Sequence, residues 1–309
     1  LAQYLPFFVT AHDLNILIIQ KNFTGAASTH FTYNTVFNNE AYALILVGLG
    51  SSEEHAIITM KENIRQGIGL ITREVRTQSY KNVIFINTFL HDFFKHKDFF
   101  QTMTIAFRLA AYEFTLFKSS PKKYVYAVYI TYEDELKDTV LRGVDVGEII
   151  AEAKNKTRLW SDFPSSDLYP EIFADQAEKF IEHNALVSVK IFKKDELEKL
   201  GMGGIINVSR GSMYEPRMII AEYKPENYTK TIALVGKGVT FDTGGISIKP
   251  GDNMEEMKHD MSGAAAVIGA FYAIAKLNSP YRIVMCAPIV ENTTSGNAFK
   301  PGDIVTFYN

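Results

Sequence analysis

The chain has 309 residues, of which 47% are hydrophobic and 22% are charged, and its net charge is −3. This length accommodates one large or two medium domains of an ordinary globular protein, and the mild acidity does not favour nucleic-acid binding. No apolar run approaches the roughly 18 residues of a membrane span. Residues 1–8 lack the basic start of a secretory signal, and the single cysteine excludes an intrachain disulfide, so we expect a cytoplasmic protein without membrane contact.

The first half of the sequence alternates between strand-like and helix-like segments. Strands are predicted at residues 42–47, 82–86 and 124–130, and helices at residues 53–72 and 101–117. This alternation indicates βαβ units and a largely parallel sheet. A helical stretch at residues 144–159 precedes turn-rich residues 161–166, and we place a domain boundary near residue 155.

The second half repeats the alternation. Helices are predicted at residues 170–184, 195–201 and 263–277, and strands at residues 187–191, 217–223, 231–235 and 281–288. The sequence therefore predicts an α/β protein with an N-terminal α/β domain over residues 1–155 and a second α/β domain over residues 156–309.

Two glycine-rich stretches, residues 236–250 and 257–265, contain the side chains with the clearest chemistry. These side chains are two carboxylates and two lysines: Asp242, Asp260, Lys237 and Lys249. Glycine lets the backbone approach a small bound object closely, and aspartate oxygens are natural ligands of divalent cations. We expect Asp242 to lie in a loop after the strand that ends at residue 235, where open α/β sheets place their sites. The pattern indicates a metal site with a cationic catalytic group.

Each of these residues also has an ordinary structural interpretation. Asp242 could form an Asx turn, Asp260 could cap the helix that follows it, and both lysines could be solvated surface residues. A lysine beside a divalent cation loses its proton more easily, because the neighbouring charge disfavours the ammonium. A neutral lysine can ligate a metal, and a charged lysine can stabilise an oxyanion. The residues by themselves leave both interpretations open.

Other types of site fit the sequence less well. Gly48 and Gly50 follow a predicted strand, but Glu53 takes the place of the third glycine of a dinucleotide-binding fingerprint. None of the seven histidines forms an H-E-x-x-H motif or another close helical pair. A histidine-based zinc hydrolase is therefore disfavoured, and carboxylates must hold any metal.

Residues 236–265 resemble the signature of the leucyl aminopeptidases, the cytosolic M17 metallopeptidases. The resemblance extends over residues 155–309 and includes residues 291–297, where the family usually has E-N-M-P-S-G-N. The first part of the chain matches only in pattern. The resemblance implies an N-terminal, macro-like α/β domain followed by a metallopeptidase domain with a mixed sheet flanked by helices.

The resemblance also implies a role for each residue. Lys237 corresponds to a ligand of the more loosely held metal, Asp242 to the carboxylate that bridges two metals, and Asp260 to a further ligand of the Lys237-bound ion. Lys249 corresponds to the catalytic lysine that polarises the scissile carbonyl. Met257 lies where the family has an apolar wall for the N-terminal side chain. With Lys237, Asp242 and Asp260, Met257 completes the expected substrate-binding set.

The implied reaction is hydrolysis of N-terminal amino acids, leucine and similar, from peptides. The resemblance implies two divalent cations that bind the α-amino group and activate water. Zinc is expected first, with manganese, magnesium or cobalt able to replace it at the looser site. It further implies a bicarbonate-like base and a homohexamer.

The sequence departs from the family in two places. Thr293 and Thr294 replace the usual Met-Pro, and the chain ends at Asn309, before the family's N-T-D-A-E-G-R motif. We interpret the end as a truncation, because the remaining domain would expose an apolar sheet face. Two alternatives stay open: a catalytically inactive, family-related structural or binding protein, and a DNA-binding role.

Overall fold

The computed structural model describes residues 16–308 except 17, 38, 51–56, 86–97, 123, 133 and 183–184. Its strands are β1 (His30–Phe37), β2 (Glu40–Val47), β3 (Asn82–Phe85), β4 (Ala127–Ile130), β5 (Val187–Phe192), β6 (Arg217–Tyr223), β7 (Thr231–Val235), β8 (Gly238–Asp242) and β9 (Arg282–Asn292). Its α-helices include α1 (Ile57–Gln78), α2 (Asp98–Ala110), α3 (Lys137–Asp162), α4 (Pro170–Ile181), α5 (Lys194–Lys199), α6 (Gly203–Ser209) and α7 (Ser262–Lys276). The chain divides into two compact units, Leu1–Ala151 and Glu152–Asn309.

The first unit contains two separate strand pairs among its described residues. Strands β1 and β2 form an antiparallel hairpin, whereas β3 and β4 pair in parallel. The prediction of a largely parallel sheet is therefore wrong for the hairpin. Its first strand, β1, was not predicted, although its β-branched and aromatic residues are typical of a strand. The turn contains Asn39 at φ 62°, a left-handed conformation that asparagine tolerates.

Helices α1 and α2 form the core of the first unit. Ile64 and Ile68 lie one turn apart on α1, and Phe100 and Met103 occupy the buried face of α2. Each of these side chains is at most 3% exposed, so the helix spacing in the sequence creates one apolar stripe per helix.

The ends of these helices differ from the prediction. Helix α1 continues to Gln78, six residues beyond the predicted end, and predicted residues 53–56 lie outside the described part of the chain. Helix α2 ends at Ala110 instead of residue 117. Beyond that end, the Glu113 carboxylate accepts hydrogen bonds from Arg76 and Lys118. The contact with Arg76 is tertiary, and tertiary context commonly overrides a local helical pattern.

The second unit is built on a five-stranded mixed sheet of order β5-β6-β9-β7, with β8 also paired to β9. Strand β6 runs antiparallel to β5 and to β9, whereas β7 and β8 run parallel to β9. Along one side, β9 therefore pairs first with β7 and then with β8. This arrangement confirms the predicted α/β fold with a mixed sheet flanked by helices.

Aromatic and small apolar side chains fill the core of the second unit. Trp160 packs edge-on against Phe173, and its indole N–H donates to Gln176 Oε1 at 3.0 Å. On α7, Ala264 and Ile268 are fully buried. Small residues on this helix let its first turn lie close to β7 and β8, which sets the position of the site.

Three elements of the second unit lie outside the predicted ones: strand β8, helix α6 and a 3₁₀ helix over Met254–Met261. The sequence predicts a loop in place of strand β8, because glycines at positions 236 and 238 obscure a short apolar run that pairs with β9. Helix α6 was also missed. Strand β9 continues to Asn292, beyond the predicted end at residue 288, and this extension pairs with β8. Within the described ranges, no helix combines the length and apolar composition needed to cross a membrane.

Candidate metal centre

Asp242 is the last residue of β8, opposite Asn292 of β9. The prediction of a loop position is therefore wrong, although the residue does lie at a strand's carboxyl end. Its Oδ1 accepts hydrogen bonds from the Gly244 N–H at 3.0 Å and from Asn292 Nδ2 at 2.7 Å. Its Oδ2 accepts a hydrogen bond from Lys249 Nζ at 2.6 Å. Burial alone would raise the pKa of this carboxyl, but the donors on Lys249, Gly244 and Asn292 together hold the pKa below its usual value.

A tight turn brings Lys249 back to Asp242. The Lys249 N–H donates to the Thr243 carbonyl at 2.8 Å and closes the turn. Gly244 has φ 89°, and a Cβ there would lie 2.5 Å from a carbonyl oxygen of the same turn, so glycine is required. The Thr294 hydroxyl donates to the Gly245 carbonyl at 2.7 Å and ties the turn to the segment after β9. Thr294 is one of the two departures from the family's usual Met-Pro.

Lys237 lies in the gap between β7 and β8 and forms an ion pair with Asp260. Its Nζ is 2.7 Å from Oδ1 and 2.6 Å from Oδ2 of that carboxylate. The Lys237 carbonyl accepts a hydrogen bond from the Ala264 N–H of α7 at 2.8 Å. Gly236 permits this approach, since a Cβ there would lie 2.6 Å from the Gly263 carbonyl oxygen. The backbone contact therefore fixes the start of the lysine side chain.

A 3₁₀ helix, Met254–Met261, connects the two ion pairs. Met257 and Asp260 are three residues apart, a spacing that places both side chains on one face of such a helix. Met257 Sδ lies 3.0 Å from Lys249 Nζ, while Asp260 contacts Lys237. Asp260 is not the N-cap of α7, a position that belongs to Met261. The five predicted site residues thus lie in or next to β8, in the turn that follows it and on this helix, in two contacting groups.

The carboxylates of Asp242 and Asp260 and the amine of Lys237 are the candidate ligands of a divalent cation. Each carboxylate faces a positive ammonium at 2.6 Å, so the oxygens already converge on positive charge. Aspartate oxygens and a neutral lysine amine are both acceptable ligands. Among the residues that the structure describes, no group of three or more His, Cys, Asp or Glu side chains is suited to a metal. The donors therefore fit part of a cation site, since a protein zinc site normally needs at least three protein ligands.

Three further polar residues lie near the site, and none of them was among the predicted site residues. Asn292 contacts Asp242, Thr294 anchors the turn, and Glu291 accepts a hydrogen bond from the Ser212 hydroxyl. Burial raises the pKa of Glu291, and the neighbouring Glu171 carboxylate raises it further. The sequence signal for these residues was their place in residues 291–297, which carried part of the family resemblance, and for Thr294 also its departure from the family's usual Met-Pro.

The chain has two α/β units, and the second carries two carboxylate–lysine pairs near its strand ends. Comparison with known families identifies the class of protein that has these features. Residues 155–309 match the family described as "Cytosol aminopeptidase family, catalytic domain". Residues 2–121 match the "Cytosol aminopeptidase family, N-terminal domain". The chain belongs to the cytosol aminopeptidase family, and the resemblance found in its motifs is confirmed.

Similar curated proteins carry the same family name. A "Probable cytosol aminopeptidase" of Geobacter sp. (strain M21) is 33% identical over 292 residues, which are 92% of this chain and 57% of the relative. A protein of the same name from Chlorobium limicola is 42% identical over 193 residues, which are 62% of this chain and 38% of the relative. The chain spans about half the length of the curated relatives it matches.

Solved structures with the same fold are also found. The "Bottromycin maturation enzyme BotP in complex with Mn" aligns with a TM-score of 0.78 and 26% identity. The alignment covers 94% of this chain and 59% of that enzyme.

Proposed function

We propose that this chain is part of a metal-dependent aminopeptidase that removes N-terminal amino acids, leucine and similar, from peptides. In this proposal residues 156–309 contribute to the catalytic domain and residues 1–155 form the N-terminal domain. The observation that carries the proposal is the arrangement of Asp242, Asp260 and two lysines in the part of the chain that matches the family's catalytic domain.

Lys237, Asp242 and Asp260 would supply part of the ligand set for two divalent cations. Zinc is the first choice, with manganese, magnesium or cobalt at one site, and the manganese named for BotP supports this class of ion. When bound, such cations polarise a carbonyl and lower the pKa of water. The same three residues would hold the substrate's α-amino end near the site. A bicarbonate-like base is a further component of the proposal.

Lys249 would act on the substrate carbonyl. Its ammonium is held beside Asp242 Oδ2 and can donate to an oxygen that gains negative charge. Its side chain is 37% exposed, so the ammonium is accessible from one side. Met257 places an apolar, adaptable surface next to this ammonium, where a leucine-like side chain would be accommodated.

The proposal includes a homohexameric assembly and a cytoplasmic location. The word "cytosol" in the family description and in the names of the relatives supports the location. An inactive structural or binding protein remains the alternative, but the retained acid–lysine pairs favour the enzyme. The net charge of −3 does not favour a DNA-binding role.

The test is the substitution Asp242→Ala in the full-length protein, with Asp242→Asn as a less disruptive second variant. Both should lower metal-dependent release of leucine from leucinamide by about 10²–10³-fold or more, because a proposed metal ligand is lost. Activity is measured after removal of metal with a chelator and restoration of zinc or manganese.

Asp252→Ala is the matched control. Asp252 is exposed and lies ten residues further along the same segment. The control should keep wild-type activity. Full activity of Asp242→Ala would refute the proposed role, provided that its circular dichroism shows a folded protein.

A further inference from the structure

We infer that Asn292 is a positioning residue that fixes the orientation of the Asp242 carboxylate for a bound cation. The inference rests on the proposed function, because it concerns how well Asp242 serves as a ligand. It assigns a role to the end of β9, a segment that carries none of the predicted site residues.

The contacts of Asp242 divide its carboxylate into two unequal oxygens. Oδ1 is held by two neutral donors, Asn292 Nδ2 at 2.7 Å and the Gly244 N–H at 3.0 Å. Oδ2 accepts a hydrogen bond from a cationic group, Lys249 Nζ, at 2.6 Å. Two donors on one oxygen stop rotation of the carboxylate, so Oδ2 keeps its direction toward positive charge.

Asn292 is itself held firmly. It pairs with Asp242 in the parallel ladder between β8 and β9. Its main-chain carbonyl accepts hydrogen bonds from the Thr243 N–H at 2.9 Å and from the Thr243 hydroxyl at 3.1 Å. Its amide packs against Gly245, where a Cβ would lie 3.0 Å from Asn292 Oδ1. A side chain that is fixed on both sides can transmit its position to the carboxylate.

The amide suits this task because it is neutral. A lysine or arginine at the same place would repel an incoming cation, and a carboxylate would repel Asp242 when no cation is bound. The Lys249 ammonium must leave Asp242 Oδ2 if a cation binds to that oxygen. The Asn292 contact with Oδ1 needs no such change, so it can persist with and without metal.

The experiment measures Mn²⁺ binding by the full-length, metal-free protein, with free Mn²⁺ followed by electron paramagnetic resonance. Asn292→Ala removes the donor, and Asn292→Leu keeps the branched shape without the donor. Both variants should bind Mn²⁺ about 10- to 100-fold more weakly, the usual effect of removing a group that orients a metal ligand. Asn227→Ala, on an exposed turn, is the control and should bind like the wild type.

The outcomes separate the two proposals. Unchanged Mn²⁺ affinity in both Asn292 variants, in a wild type that binds Mn²⁺, overturns the positioning role and leaves the proposed function intact. A loss of thermal stability without a loss of affinity also overturns it, because it shows a purely structural role. A wild type that binds neither Mn²⁺ nor Zn²⁺, the latter measured by isothermal titration calorimetry, overturns the proposed function and this inference together.

Discussion

The two units of this chain use different residues to define their structure. In the first unit, bulky side chains such as Phe100 and Met103 fill the space between two helices. In the second unit, the region around the site depends on places where side chains are absent, such as Gly236 and Gly244. The first unit is therefore specified by packing, and the site region by close backbone approach.

The two units also differ in what their side chains contribute, which is a packed core in the first unit and the candidate site in the second. The buried side chains of the first unit are mostly apolar, with Asn63, Thr72 and Thr104 as buried polar residues, and the predicted site residues all lie in the second unit. There, the Lys237 side chain is 59% exposed and the Asp242 side chain is 16% exposed, so the candidate site is partly open to solvent. Substitutions in the two units should consequently change different measurable properties.

The largest effect on stability is expected for Phe100→Ala. Phe100 is fully buried, so its truncation should reduce the free energy of unfolding of the first unit by about 3–5 kcal/mol. Hydrogen exchange, read by mass spectrometry, should show lost protection in α1 and α2. Protection in β9 should not change.

Phe117→Ala is the control for this substitution, because Phe117 is 58% exposed. It should change the free energy of unfolding by no more than about 0.5 kcal/mol. If Phe100→Ala also removes protection from β9, the two units do not unfold separately and the comparison fails.

A smaller effect is expected for Gly236→Ala in the second unit. The new Cβ would lie 2.6 Å from the Gly263 carbonyl oxygen and 2.8 Å from the Ala264 Cα, so α7 must move away from Lys237. We expect a loss of about 2–3 kcal/mol in urea denaturation, together with weaker Mn²⁺ binding.

Gly251→Ala is the matched control, because no atom lies within 4 Å of the Cβ position there. It should be neutral or slightly stabilising. Wild-type stability and Mn²⁺ affinity in Gly236→Ala would show that close backbone approach does not define this part of the site.

The smallest effect is expected for Glu291→Gln, and it depends on pH. Burial and the Glu171 carboxylate raise the pKa of Glu291 above its ordinary value of 4.5. Its contribution to stability is therefore present below pH 4.5 and is lost as the pH rises through the folded-state pKa. Glutamine stays neutral and can still accept the Ser212 hydrogen bond, so the variant should melt slightly higher than the wild type at pH 7.

Differential scanning calorimetry at pH 4 and pH 7 measures this difference. At pH 4 the advantage of the variant should disappear. Glu226→Gln, on an exposed turn, controls for the removal of one charge. An equal shift in melting temperature at both pH values would contradict the assignment of the effect to ionisation of Glu291.

Several elements could be predicted from local sequence alone. Strands β6 and β7 have the predicted bounds, and α7 differs by one residue at each end, because continuous apolar runs and small-residue helices give a strong local signal. Strand β8 could not be predicted in this way. It is short, it begins with glycine, and its pairing with β9 comes from residues about fifty positions away.

The candidate site divides in a similar way between what local sequence indicates and what it does not. The four charged residues could be selected by type and by family resemblance, because their chemistry is visible in the sequence. The pairing of each lysine with its aspartate could not be predicted, because Lys249 reaches Asp242 through a turn that requires glycine. Asn292 was missed because its role depends on the register between β8 and β9, which no local pattern reveals.

The gap between β7 and β8 has a consequence for how this protein can change over time. Lys237 is held there through its main chain, while its side chain extends into solvent toward Asp260. The scaffold would therefore accept many other amino acids at position 237, yet few at position 236. A descendant of this protein could exchange its chemistry at one position and retain its architecture.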